Sequence, residues 1–122
     1  MMMTSRRGSI RRLSLHDQGY LDGILTGAPG ARERVLLDAR SRSLGRLAAL
    51  FALDGSVSSY GWATSAALAA GATSDELVDL LISLAPVIGS ARVVSAAPKL
   101  GLALGYDVEA DIEGLNIGLE GG

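Results

Sequence analysis

The sequence contains no cysteine, which excludes disulfides, thiolate metal sites and any thiol nucleophile or redox couple. It has a single histidine, His16, so a metal centre built from several histidines of one chain is excluded as well. Aromatic residues are scarce at 4%, and one lysine stands against ten arginines. No apolar run reaches the roughly 18 residues that a membrane span needs; Leu47 to Leu53 and Leu80 to Ile88 end too early. No secretory signal is expected, because the polar stretch Leu13-Ser14-Leu15-His16-Asp17 follows the first arginines where an apolar segment should lie. A soluble cytoplasmic protein with no bound cofactor or metal is the expectation. What the chain has instead is leucine (20), alanine (18) and glycine (16), the raw material of slender, closely packed helices. Its 122 residues suit one domain that buries roughly two thirds of the surface exposed by the unfolded chain.

Net charge is -2, which favours neither nucleic acid nor an acidic membrane as a partner. The two ends differ. Arg6, Arg7, Arg11 and Arg12 come with no acid among them, whereas Asp107, Glu109, Asp111, Glu113 and Glu120 come with no base. Such ends are either solvated tails or a basic arm for a polyanion or for the acidic tail of another subunit. Arg6-Arg7-Gly8-Ser9 also has the form of a basic-directed phosphorylation site, a form that arises often by chance.

Residues 1–12 are polar, basic and aperiodic and are expected to be disordered, with a helical domain over 13–115 and a flexible tail over 116–122. Ser14 can cap a first helix that ends at Gly27-Ala28-Pro29-Gly30. A second helix should begin near Arg32 or Leu36 and stop at Asp54-Gly55, with Leu37, Leu44, Leu47, Ala48 and Phe51 at helical spacing. Ser56 or Ser58 can start a third, which Gly71 should end in the left-handed conformation. Thr73-Ser74-Asp75-Glu76 has the pattern of a capping box for a fourth, broken or kinked by Pro86 and Gly89. A fifth spans about Ser90 to Leu104, and Asp107 can cap a short acidic sixth. No strand pattern appears. The fold class is all-α, with five to six helices, and so many small apolar residues suggest that other subunits cover part of the surface.

The central segment resembles the carboxymuconolactone decarboxylase and alkylhydroperoxidase D-like superfamily. The resemblance is carried by Leu37-Asp38-Ala39-Arg40-Ser41-Arg42-Ser43-Leu44 leading into Leu47-Ala48-Ala49-Leu50, by Trp62, by Ala66 through Leu77, and by Ala85-Pro86-Val87-Ile88-Gly89, within about residues 36 to 100. It implies an all-helical subunit assembled as a homotrimer or hexamer, with pockets between helices near subunit contacts. The residues of the family's chemistry are missing. Where the peroxidase branch has its cysteine pair and histidine, this chain has Ser56, Ser59 and Ala63, and the upstream acid falls at or beside Ser43. The glutamate and histidine of the decarboxylase branch correspond to Ser59 and Ala63, and the family's later tyrosine and proline to Val87 and Ala91. Serine cannot run a thiol cycle, and neither serine nor alanine transfers protons near neutral pH.

The residues left as ligand-binding candidates are Ser59, Tyr60, Trp62 and Arg92; no catalytic residue is assigned. Ser56, Ser58 and Ser59 at a helix start either cap the helix or present an anion site. Tyr60 and Trp62 either line a pocket or fill the core. Arg92 either clamps a carboxylate or forms a salt bridge; Arg42 and Arg46, one turn apart, are expected to pair with Asp38 or with a neighbouring subunit. His16 is a helix residue that solvent reaches or that an oligomer brings into a neighbour's cleft. Three functions follow as alternatives: an enzyme for a small lactone or carboxylic acid, a non-catalytic binder of a hydrophobic carboxylate, or an oligomeric structural protein. The first needs convergent polar groups in a cavity, the second a largely apolar cavity, and the third a filled one.

Overall fold

The computed structural model describes residues 6–27 and 36–106, and every regular element among them is a helix. Six are formed: α1 (Arg6–Ser14), α2 (Gln18–Thr26), α3 (Ala39–Leu53), α4 (Val57–Ala69), α5 (Ser74–Ile88) and α6 (Ser90–Ala103). The expected acidic sixth helix and the tail over 116–122 lie outside the described residues. The chain divides into two compact units, one up to Asp38 and one from Ala39.

In the first unit, α1 overturns an expectation. Arg6 to Arg12, read as disordered, is helical, and Ser14 ends α1 rather than starting the next helix. Arginine is among the better helix formers, so absent apolar periodicity does not imply absent helix. The chain leaves α1 through His16 in the left-handed conformation (φ 56°), with the Asp17 amide donating to the Arg12 carbonyl at 2.9 Å. Asp17 then caps α2, its Oδ1 accepting from the Tyr20 amide at 3.1 Å. No apolar side chain of α1 or α2 is fully buried.

The second unit has the core. α3 packs on α4, α5 and α6, and α6 also packs on α4 and α5. Each helix contributes one narrow stripe at spacings of three and four: Ser43, Leu47 and Phe51 from α3, and Tyr60, Thr64 and Ala67 from α4. Leu77 and Leu81 come from α5, and Ala96 and Leu100 from α6. Phe51 and Tyr60 meet with ring centroids 5.8 Å apart at the centre.

The helix boundaries follow the polar groups. The Ser56 hydroxyl accepts from the Ser59 amide, and Thr73 and Glu76 form the full reciprocal capping box. Gly71 (φ 103°) ends α4 with the Ala72 amide returning to the Ala67 carbonyl at 3.0 Å, as the sequence suggested. α3 ends the same way, except that Asp54 (φ 57°) takes the left-handed position and Gly55 follows it. At Gly55 a Cβ would lie 2.8 Å from Leu50 Cδ2, so a side chain there would displace Leu50. Neither Pro86 nor Pro98 interrupts its helix; the break between α5 and α6 falls at Gly89.

Candidate functional site

An open groove of about 580 Å³ lies between α3 and α4. Arg46, Ala49 and Leu50 form the α3 wall at spacings of three and four. Ser58, Ser59, Trp62, Ala63 and Ala66 form the α4 wall. The three alanines leave the space, and Leu50 and Trp62 make its larger apolar surfaces. Trp62 is 83% exposed, an unusual place for the only tryptophan of a chain poor in aromatics.

The polar groups gather at the start of α4. Ser59 Oγ accepts from Ser56 Oγ at 2.9 Å, while Ser56 Oγ also caps the Ser59 amide at 3.2 Å. Ser58 Oγ lies 3.3 Å from the same Ser56 Oγ, so the three hydroxyls are linked, with Ser58 and Ser59 on the groove wall. The positive end of the α4 dipole faces the same region. Arg46 is exposed and has no ion-pair partner among the described residues. It brings a permanent cation to an otherwise neutral wall.

The four candidate residues separate. Ser59 and Trp62 line the groove, whereas Tyr60 and Arg92 do not. Tyr60 follows the same helix but points inward: it is fully buried against Phe51, and its hydroxyl lies 3.4 Å from the Leu50 carbonyl. Burial raises the pKa of its phenol, and the nearby Asp54 charge adds to the rise. Arg92 belongs to a polar cluster that ties α6 to the end of α3. Its Nη1 lies 3.6 Å from Asp54 Oδ2, while Asp54 Oδ1 accepts from Ser95 Oγ at 2.5 Å and from Lys99 Nζ at 3.0 Å. Lys99 also donates to the Gly55 carbonyl at 2.9 Å. The Ser95 hydrogen bond, then Lys99 and Arg92, hold the Asp54 carboxyl below its usual range. For Arg92 the salt-bridge alternative is the one observed.

His16 is exposed and shares a hydrogen bond with Gln18 Oε1 at 2.9 Å. Arg40, to which the sequence assigns no role beyond its place in the family-like stretch, pairs with Glu76 of the capping box and so ties α3 to the start of α5. Glu76 is held below the usual carboxylate range, first by the Thr73 amide and then by Arg40. The groove residues that the sequence did not single out are Ala49, Leu50 and Ala66, and it gave Arg46 no groove role. Their signal was the pairing of Arg46-Ala49-Leu50 with Ser59-Ala63-Ala66, each a single helical face of small residues with one polar end.

Among the described residues no carboxylate, histidine or lysine lines the groove. The wall hydroxyls have no base beside them, and the arrangement suits holding an anion with an apolar body. Among the described residues no three His, Asp or Glu side chains are placed to share a metal ion, and no helix is long and apolar enough to cross a membrane. No family model, no curated protein and no solved structure matches the chain.

Proposed function

We propose that the chain is an AhpD-like helical protein whose α3–α4 groove binds a small apolar carboxylate without converting it, and that it works as a homo-oligomer. The observation that carries this reading is the composition of the groove. Among the described residues its walls are Leu50, Trp62, three alanines, Ser58 and Ser59, with Arg46 as the one charged lining residue and no proton-transfer group. Ser59 and Ala63, which the family resemblance aligns with positions of the family's chemistry, both lie on this wall. That coincidence supports an inherited pocket whose reactive groups have been replaced. The enzymatic alternative, conversion of a small lactone or carboxylic acid, needs an acid or base that is not among the described lining residues.

Trp62 makes the test direct, because its indole is the only one in the chain and lies at the site. Titration of the full-length protein with octanoate, decanoate and benzoate should change its fluorescence saturably. The matching amides should bind more weakly. Arg46→Gln should weaken carboxylate binding by roughly tenfold, the scale of one charge-assisted hydrogen bond, without moving the unfolding midpoint. Arg92→Ala should leave binding unchanged, because Arg92 is engaged with Asp54. Absence of any saturable response, or equal binding of amide and acid, would sink the reading. Turnover of a lactone by the purified protein would restore the enzymatic one.

A further inference from the structure

We propose that Ser14 is a phosphoacceptor for a serine kinase that selects arginines two and three residues before the serine. Residues 6–15 repeat one five-residue pattern: Arg6-Arg7-Gly8-Ser9-Ile10, then Arg11-Arg12-Leu13-Ser14-Leu15. Each serine has the same paired cations upstream and an aliphatic residue downstream, so local sequence does not distinguish them. The fold does. Ser9 is 8% exposed within α1 and has an interaction partner. Ser14 is the last residue of α1 and exposed, with a hydroxyl that makes no hydrogen bond among the described residues. Arg11, Arg12 and Leu15, which a kinase would read, are exposed around it.

A kinase binds its acceptor segment extended, so the last turn of α1 has to open. That opening is easy here. α1 has nine residues, well short of the roughly 12–15 that make an isolated helix even marginal in water. None of its apolar side chains is buried, and it already ends in a left-handed turn at His16. Segments of this kind open locally at little cost, whereas exposing Ser9 requires α1 to open through its middle. In the transfer, Ser14 Oγ attacks the γ-phosphorus of a nucleoside triphosphate. The bond from that phosphorus to the β–γ bridging oxygen breaks, the diphosphate leaves, and the hydroxyl proton passes to the kinase's base. The product places about -1.5 to -2 charges at the negative end of the α1 dipole, which disfavours its last turn. It also offsets nearly half of the charge of the four arginines.

The full-length protein, incubated with magnesium, ATP and a basophilic serine kinase, is followed by peptide mass spectrometry resolved to the single serine. Ser14 should fill at least about tenfold faster than Ser9, the ratio that a modest difference in local opening gives. Ser14→Ala should remove the fast phase, and Arg11→Ala should slow it. Amide exchange should quicken over residues 11–14 in the phosphorylated protein. Filling of Ser9 as fast as Ser14, or no phosphate on Ser14, overturns the proposal.

Discussion

Thr64 is 1% exposed on α4, and its Oγ1 has no hydrogen-bond partner among the described residues. A buried hydroxyl without a partner costs stability, roughly 1–3 kcal/mol by mutational comparison. Valine has nearly the same shape without the hydroxyl, so Thr64→Val should leave stability unchanged or raise it by up to about 1 kcal/mol, allowing for valine's modest helix propensity. Urea unfolding followed at Trp62 would show it, and a loss above that size would mean that the hydroxyl has a role unseen here. Tyr60, its neighbour one turn earlier, should respond differently. Its 3.4 Å contact to Leu50 is a weak hydrogen bond, so Tyr60→Phe should cost under about 1 kcal/mol. Tyr60→Ala, which empties the centre of the core, should cost about 3–5 kcal/mol.

Two acidic residues join elements, and both titrate in the direction that makes the fold acid-sensitive. Asp54 holds Ser95, Lys99 and Arg92 of α6 at the end of α3, and Glu76 joins the α5 cap to Arg40 of α3. Each has a folded-state pKa below its unfolded value, so its contribution is complete above the ordinary carboxylate pKa and is lost as pH falls through the lower, folded one. The urea midpoint should therefore be flat from neutral pH down to about 5 and fall below about pH 4. The double variant Asp54→Asn, Glu76→Gln should start lower and show a shallower fall; an equal fall in both proteins would assign acid sensitivity to other carboxylates. These elements also show what the sequence could express. Capping grammar is local, so Thr73-Ser74-Asp75-Glu76 and Gly71 marked their helix ends correctly. The joints between helices are not local: Arg40 with Glu76, and Arg92 with Asp54, lie 36 and 38 positions apart, which no periodicity reveals. The inward turn of Tyr60 beside outward Trp62 was similarly hidden, because α4 is so rich in alanine that its apolar face is not marked by composition. α1 was missed because it has helix propensity without an apolar stripe.

At the scale of the molecule, the four-helix unit buries less than its composition offers. Leu53, Trp62, Ile82, Val87, Val94 and Leu102 are each more than three-fifths exposed, on all four of its helices or, for Leu53, at a helix end. Scattered single leucines on a surface need no explanation, but an exposed tryptophan with five aliphatics on a unit this small exceeds the ordinary background. Covering a half-exposed aliphatic side chain recovers on the order of 1 kcal/mol, so a symmetric contact that uses several of them twice is a substantial gain. The proposed homo-oligomer would bury them without another gene product, and closed symmetry would limit its growth. Sedimentation velocity on the full-length protein should accordingly show a discrete species heavier than the monomer. Ile82→Glu with Val87→Glu should shift it toward the monomer while far-ultraviolet circular dichroism stays helical, because neither side chain belongs to the core. Carboxylate binding measured on that variant then separates the two parts of the proposed function: binding retained in the monomer places the whole site within α3 and α4, and binding lost with the oligomer makes a neighbouring subunit its missing wall. A wild-type protein that stays monomeric at every concentration would leave these side chains uncovered and remove assembly from the function.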